Sequence, residues 1–273
     1  MLSYFFGEQP VLATIIRNST LPLLLTMYCV AESNDDVQQI LSLIPDQRGI
    51  VSMVELNGPD EVQTVIDVAK ARELTVFFQS ADPELVLKVR QAAEREKLLG
   101  ERIFVDQQPP ESIPLSHNLA DSVIVSSAAQ KMIGRDEVLR VLRPMGLAWM
   151  GDHVMIKPKP PGMDDWTHPY HGPDNNTQSN DQLVRGDFQT QFIEFPQFSP
   201  MPEQSVVAGG RIYKAMGNIA HKANQNEMLN TLLCINAYNG TILWRRPLPE
   251  GFMIHRNTMV AQDDALYMGA HQS

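Results

Sequence analysis

From Leu74 to Met150 the apolar positions switch repeatedly between two periods. The pattern predicts strand, helix, strand, polar loop, strand, helix and strand in unbroken succession. Leu74, Thr75, Val76, Phe77 and Phe78 form a short run of β-formers ending at Gln79 and Ser80, as a strand buried on both faces requires. Asp82 is placed to cap a helix with Pro83 at its first position. Leu85, Val86, Val89, Ala92 and Ala93 then recur at three- and four-residue spacing, and Gly100 is the expected stop. Arg102 to Asp106 reads as the next strand, followed by the Pro-rich loop QQPPESIPLSHNLAD and the strand Ser122 to Ser126. A helix carrying Val138, Leu139, Val141 and Leu142 should end at Arg143, Pro144, Met145 and Gly146, before a strand from Leu147 to Met150.

The flanking segments extend the same scheme. Val37, Ile40, Leu41 and Ile44 mark an amphipathic helix opened by Asn34 or Asp35 and closed by Pro45. Gly49 to Leu56 is the first strand, Asn57 to Asp60 its turn, and Glu61 to Glu73 the helix that follows. Strands alternating with helices at this spacing imply a parallel sheet covered on both faces, with ligands expected at the carboxyl ends of the strands. After Met150 the chain passes through His153 to Lys157 into KPKPPGMDD, a stiff boundary. Three hairpins are then predicted: residues 205–216 through Gly209 and Gly210, residues 231–246 through Asn239 and Gly240, and residues 258–269 through Asp263 and Asp264.

Two resemblances become specific on these residues. The element order, the loop ending in Asn118, Leu119, Ala120 and Asp121, and the run EVLRVLRPMG at Glu137 to Gly146 resemble class I S-adenosylmethionine-dependent methyltransferases over residues 36–157. That family has an "fD.V" fourth strand and an "LRPGG" fifth. The resemblance implies a Rossmann-like fold and S-adenosylmethionine (SAM) as cofactor, gripped near Gly58, Ser80 and Asp106. It also exposes losses. One glycine, Gly58, remains of the Gly-rich loop, beside a rigid Pro59, and Ser80 stands where the family carries a ribose-binding acid. Asp106 has two readings, an adenine contact or a solvated strand end.

The segment WTHPYHGPDNNTQSNDQLV, from Trp166 to Val184, and the run Leu233 to Trp244 resemble pyrroloquinoline-quinone-like (quinoprotein) β-propellers, whose repeat reads "LyAlDa.tGk.lWr". Roughly 70 residues of β pattern are too few for two blades of about 40–50 residues each, so the chain reads as a fragment of a longer protein. The expected organisation is a leader at 1–31, a methyltransferase-like α/β domain at 34–157, a linker at 158–165 and the start of an all-β propeller at 166–273.

Charge and composition narrow the function. With 22 basic and 32 acidic residues in 273, a formal charge of -10 opposes nonspecific binding to nucleic acid. Cys29 and Cys234 are the two cysteines, and their spacing fits neither a zinc site nor a disulfide framework. Arg17, the apolar core STLPLLLTMYCVA and small Ala31 resemble an export signal, with a buried N-terminal helix broken at Pro22 as the other reading. Export implies a periplasmic or secreted protein without a membrane span after signal removal; without that signal it would stay in the cytoplasm. An exported domain meets little SAM.

No catalytic residue and no metal ligand is assigned. His168 and His171 lie near Asp164, Asp165 and Asp174, but their spacing suits a polar entry loop better than a zinc site, and His117 is read as a surface histidine. The expected function is therefore a noncatalytic binding or scaffold role, with a protein partner on the propeller. Two enzyme readings stand beside it: an active SAM-dependent methyltransferase, and a quinone-dependent dehydrogenase whose pyrroloquinoline quinone would need further blades.

Overall fold

The structure, a computed structural model, describes residues 13–17, 32–44, 46–56, 58, 60–187, 189–193 and 196–269. In chain order its elements are β1 (Ala13–Arg17), α1 (Glu32–Ser42), β2 (Arg48–Val54), α2 (Glu61–Ala71), β3 (Glu73–Ser80), α3 (Pro83–Arg95), β4 (Ile103–Gln107), β5 (Ala120–Val125), α4 (Arg135–Val141), β6 (Leu142–Met150) and β7 (His153–Ile156). There follow β8 (Met201–Ala208), β9 (Arg211–Ile219), β10 (Thr231–Asn236), β11 (Ile242–Pro247), β12 (Met259–Ala261) and β13 (Ala265–Gly269).

β2 to β7 form one sheet in the order β4-β3-β2-β5-β6-β7, with β7 alone antiparallel. From β2 the chain winds outward through β3 and β4, then returns to the other side of β2 to lay down β5 and β6. This is the doubly wound, Rossmann-like arrangement, as expected, and its strand order reverses between β2 and β5. One face packs α1, α2 and α3 through Ile40, Ile66 and Val89 against Val51, Met53 and Phe78. The opposite face buries Val123, Val125 and Ala148 under α4 and Ile113. Each of the buried Val, Ile, Met and Phe side chains contributes about 1.5–3 kcal/mol by leaving water.

Two local expectations need correction. α3 ends at Arg95, not at Gly100: Lys97 turns the chain with a φ of 59°, and Gly100 belongs to the following turn, where its N–H donates to the Ile103 carbonyl at 2.9 Å. The run LRPMG does not end the helix either. α4 stops at Val141, and Leu142 to Gly146 already belong to β6 as a large bulge, since Leu142 pairs with Ala120 while Leu147 pairs with Ser122. At Gly146 a Cβ would lie 2.8 Å from the Asp121 carbonyl oxygen, which explains the glycine. The bulge is stabilised from both sides, by the Arg143 side chain bonded to Asp121 and by backbone bonds between Met145, Gly146 and Lys157.

The second half holds the three expected hairpins. β8 to β11 form a four-stranded antiparallel meander, and β12 and β13 form part of a three-stranded sheet stacked on it. Val206, Tyr213, Leu232, Leu266 and Met268 share the core between them. Gly209 and Gly210 turn the first hairpin with φ of 58° and 71°, values open to glycine at little cost. Trp166 exchanges both backbone bonds with Val207, so the entry segment joins this sheet at its first aromatic residue. Of the expected leader, residues 13–17 form β1, antiparallel to β13; the rest of 1–31 lies outside the described residues.

The two halves are joined at the amino ends of the parallel strands. Asp121, 5% exposed at the start of β5, accepts bonds from Ile50 N at 2.8 Å and from the Arg143 guanidinium within its own domain. It also accepts from the side-chain amides of Asn236, the last residue of β10, at 2.7 Å and of Asn239, in the β10–β11 turn, at 3.0 Å. The Asn239 amide reaches the Leu119 carbonyl as well, and Arg48 donates to the Ile242 carbonyl.

Candidate functional site

The carboxyl ends of β2, β5 and β6 meet where the strand order reverses, the position at which such sheets bind ligands. A cavity of about 220 Å³ lies there, lined by Leu56, Thr64, Ser126, Ser127, Trp149 and Gly151. It falls below the ~300–1,000 Å³ of ordinary small-molecule sites. Ser126 is already committed, since its hydroxyl accepts from Ala129 N at 3.1 Å in the turn after β5.

Beside this cavity, at the mouth of β2 and β3, the decisive side chain is Glu55. It follows β2 with a φ of 47°, unusual for a residue with a Cβ, and its N–H donates to the Gln79 carbonyl at 3.0 Å. Its carboxylate accepts from Ser80 Oγ at 2.7 Å and from Ala81 N at 2.6 Å. Ser80 Oγ in turn accepts from Asp82 N at 3.0 Å, and Asp82 accepts from Glu84 N at 2.8 Å as the expected cap of α3. One chain of bonds thus runs from the end of β2 to the start of α3. Sequence reading placed Glu55 inside a strand and missed it; an acid following the last buried residue of a central strand was the available signal.

Ser80 is fully buried, and its single proton is committed to Glu55. Asp106 is the next-to-last residue of β4 and is half-buried. It pairs with Gln79, while Ser80 pairs with Gln107, so the pleat turns Ser80 and Asp106 toward opposite faces. Gly58 lies exposed in the β2–α2 loop with a φ of 121° and open space where a Cβ would stand. The three sequence candidates therefore share one end of the sheet but not one wall. Gln79 uses its amide to hold the Pro-rich loop, donating to Ser112 O at 2.9 Å and Pro109 O at 3.3 Å.

The mouth is acidic. Burial, with the Glu55 and Asp82 carboxylates nearby, pushes Glu61 above the usual carboxylate range. That repulsion disfavours a phosphate-bearing ligand at this end.

In the entry segment, His171 is buried against Trp166, with ring centroids 5.1 Å apart. Its Nε2 faces Asp164 Oδ2 at 2.8 Å and its Nδ1 faces the Asn176 carbonyl at 3.1 Å, so both nitrogens already have partners. Burial pushes the Asp164 carboxyl up, but bonds from Asn180 N, His171 and Ser179 outweigh it and hold the group below the usual range. Among the described residues no cluster of His, Cys, Asp and Glu is placed to hold a metal ion. His117 is exposed. No helix among the described residues is long and apolar enough to cross a membrane.

No family model matches the chain, and no curated protein matches it. Similar solved structures include a SAM-dependent methyltransferase from Aquifex aeolicus, at 15% identity and a TM-score of 0.34, covering 42% of this chain and 61% of that one. A SAM-dependent methyltransferase from Geobacter sulfurreducens, in complex with S-adenosyl-L-homocysteine, matches at 12% identity and 0.35, covering 42% and 47%. Geranyl diphosphate C-methyltransferase from Streptomyces coelicolor matches at 7% and 0.35, covering 42% and 44%. The chain thus spans about half the length of the solved structures it matches. At these scores the likenesses carry no argument, and the Rossmann-like assignment rests on the strand order alone.

Proposed function

We propose that this chain is a noncatalytic binding or scaffold protein, in which a degenerate methyltransferase-like α/β domain is fixed to the opening of a quinoprotein-like propeller. The observation that carries the proposal is Glu55. A cofactor's ribose needs a free acid at the mouth of the second strand of the α/β sheet. The nearest carboxylate instead serves Ser80 and Ala81, at bond lengths typical of strong, charge-assisted hydrogen bonds. The small cavity beside it and the separation of Ser80 from Asp106 support the same reading. The meander from β8 to β11, with the quinoprotein-like repeat in its last hairpin and a second sheet stacked on it, supports the propeller, which would present the surface to a protein partner. The leader-like composition of residues 1–31 supports a periplasmic or secreted location; retention of residues 13–17 as β1 supports the cytoplasmic alternative.

Titration calorimetry of the whole chain with SAM and with S-adenosylhomocysteine tests the proposal. No saturable heat is expected up to about 1 mM ligand, the regime of weak contact. A micromolar dissociation constant for either ligand refutes it.

One observation favours the active-methyltransferase reading: Glu55 does set a carboxylate at the β3 mouth, where ribose hydroxyls could displace Ser80 and Ala81. Under that reading wild type binds SAM, and Glu55→Ala loses binding while Asp106→Ala changes it little.

A further inference from the structure

At the opposite end of the sheet, the junction between the two halves encloses a cleft of about 810 Å³, within the ~300–1,000 Å³ typical of ligand sites, which favour domain boundaries. Arg48, Lys70, Arg72, Arg102, Arg245 and Glu73 supply its charged lining. Two of the cations are neutralised: Arg48 pairs with Glu73, and Lys70 with Glu96 at 2.8 Å. Arg72, Arg102 and Arg245 pair with no carboxylate among the described residues. Among the described residues, the Arg72 side chain bonds only the carbonyls of Ile44 and Asp46, and that of Arg102 only those of Leu74 and Arg72. Arg245 reaches no more than the Met228 sulfur at 4.0 Å.

Three uncompensated guanidinium groups on one cleft run against a chain of net charge -10. Carbonyl bonds fix Arg72 and Arg102 in place, so less side-chain entropy is lost when a ligand arrives. Arg102 keeps its Nη1 free of any bond, and Arg72 its Nε and Nη2, as donors. Trp244 lines the same cleft and carries Arg246 against its ring, 4.7 Å from the centroid.

The geometry points to a binding site for a small molecule bearing a phosphate or sulfate group, seated between the amino ends of β2 to β4 and the β10–β11 hairpin. Planar guanidinium forks match such oxyanions, and the acidic mouth at the other end of the sheet does not. The site is independent of the fate of the switch-point cavity.

Titration calorimetry of the whole chain with pyrophosphate, sulfate and citrate, at low and at raised salt, tests it. Arg245→Gln is the informative variant because Arg245 makes no carbonyl bond that folding relies on. Lys131→Gln, exposed and outside the cleft lining, is the control. Saturable one-site binding of pyrophosphate or sulfate is expected, weakened about tenfold or more by Arg245→Gln and unchanged by Lys131→Gln. Preference between the two ions identifies the source of the oxyanion. Absence of saturable binding at about 10 mM, binding of citrate alone, or equal weakening by both variants overturns the assignment.

Discussion

Asp121 and Asn236, from the two halves of the molecule, meet at 2.7 Å in a buried contact. The carboxylate that ties β5 to β2 and β6 inside the α/β domain is also the anchor for the end of β10 and the turn after it. Asn239 adds a second bond from the same turn at 3.0 Å. Asp121 and Arg143 are therefore partners in the frame of this chain, at the end of the sheet away from the switch-point cavity.

Replacing Asp121 tests that frame. Asp121→Ala strands the buried Arg143 guanidinium and should cost about 3–5 kcal/mol in urea unfolding. Asn236→Ala should cost about 1–2 kcal/mol, and the double variant less than the sum. Strict additivity would show that the two residues do not act together.

Asp46 gives a pH signature at the same junction. It stands 3.7 Å from Arg211, and burial pushes its carboxyl above the ordinary range despite the pull of Arg211. A raised folded-state value means that the charged form costs stability. The cost is complete above that value and absent below the ordinary one, where the group is protonated in both states. Asp46→Asn should therefore gain more stability relative to wild type near neutral pH than at about pH 3. Denaturation curves showing the larger gain in acid would contradict the assignment.

Cys234 lies in the β10 core, where burial pushes its thiol up to about 12. The native thiol should resist iodoacetamide, because the thiolate is the nucleophile, and react only in denaturant. Peptide mass spectrometry separates it from Cys29. Rapid alkylation of Cys234 in the native protein is the outcome that counts against this packing.

Glu55 should be worth more than its half-exposed position suggests. Glu55→Ala removes two charge-assisted bonds and should cost about 1–3 kcal/mol, with faster amide exchange at Ala81. Glu55→Gly loses the same bonds but relieves the left-handed backbone, so it should be milder by about 1 kcal/mol. If the glycine variant proves the worse of the two, the backbone at Glu55 is not strained.

Much of the α/β layout was legible because it is written in neighbouring residues. Leu74 to Phe78, the Asp82–Pro83 cap and the Gly240 turn each declare their conformation within a few positions. The LRPMG run misled because proline and glycine normally signal a stop, whereas β5 and the Lys157 backbone draw that run into β6 as a bulge. Glu55 was invisible for a related reason: its partners, Ser80 and Ala81, lie 25 and 26 positions away.

By itself, then, the sequence determined the periods: which stretches become strands and helices, and where hairpins turn. Tertiary structure alone decided where the polar groups went. It turned Ser80 and Asp106 to opposite faces, gave Glu55 to the protein's own backbone, and fastened Asp121 to an asparagine 115 positions away. Periodicity reports only whether a side chain faces the core, whereas a buried hydrogen bond depends on which distant segment the fold brings alongside it.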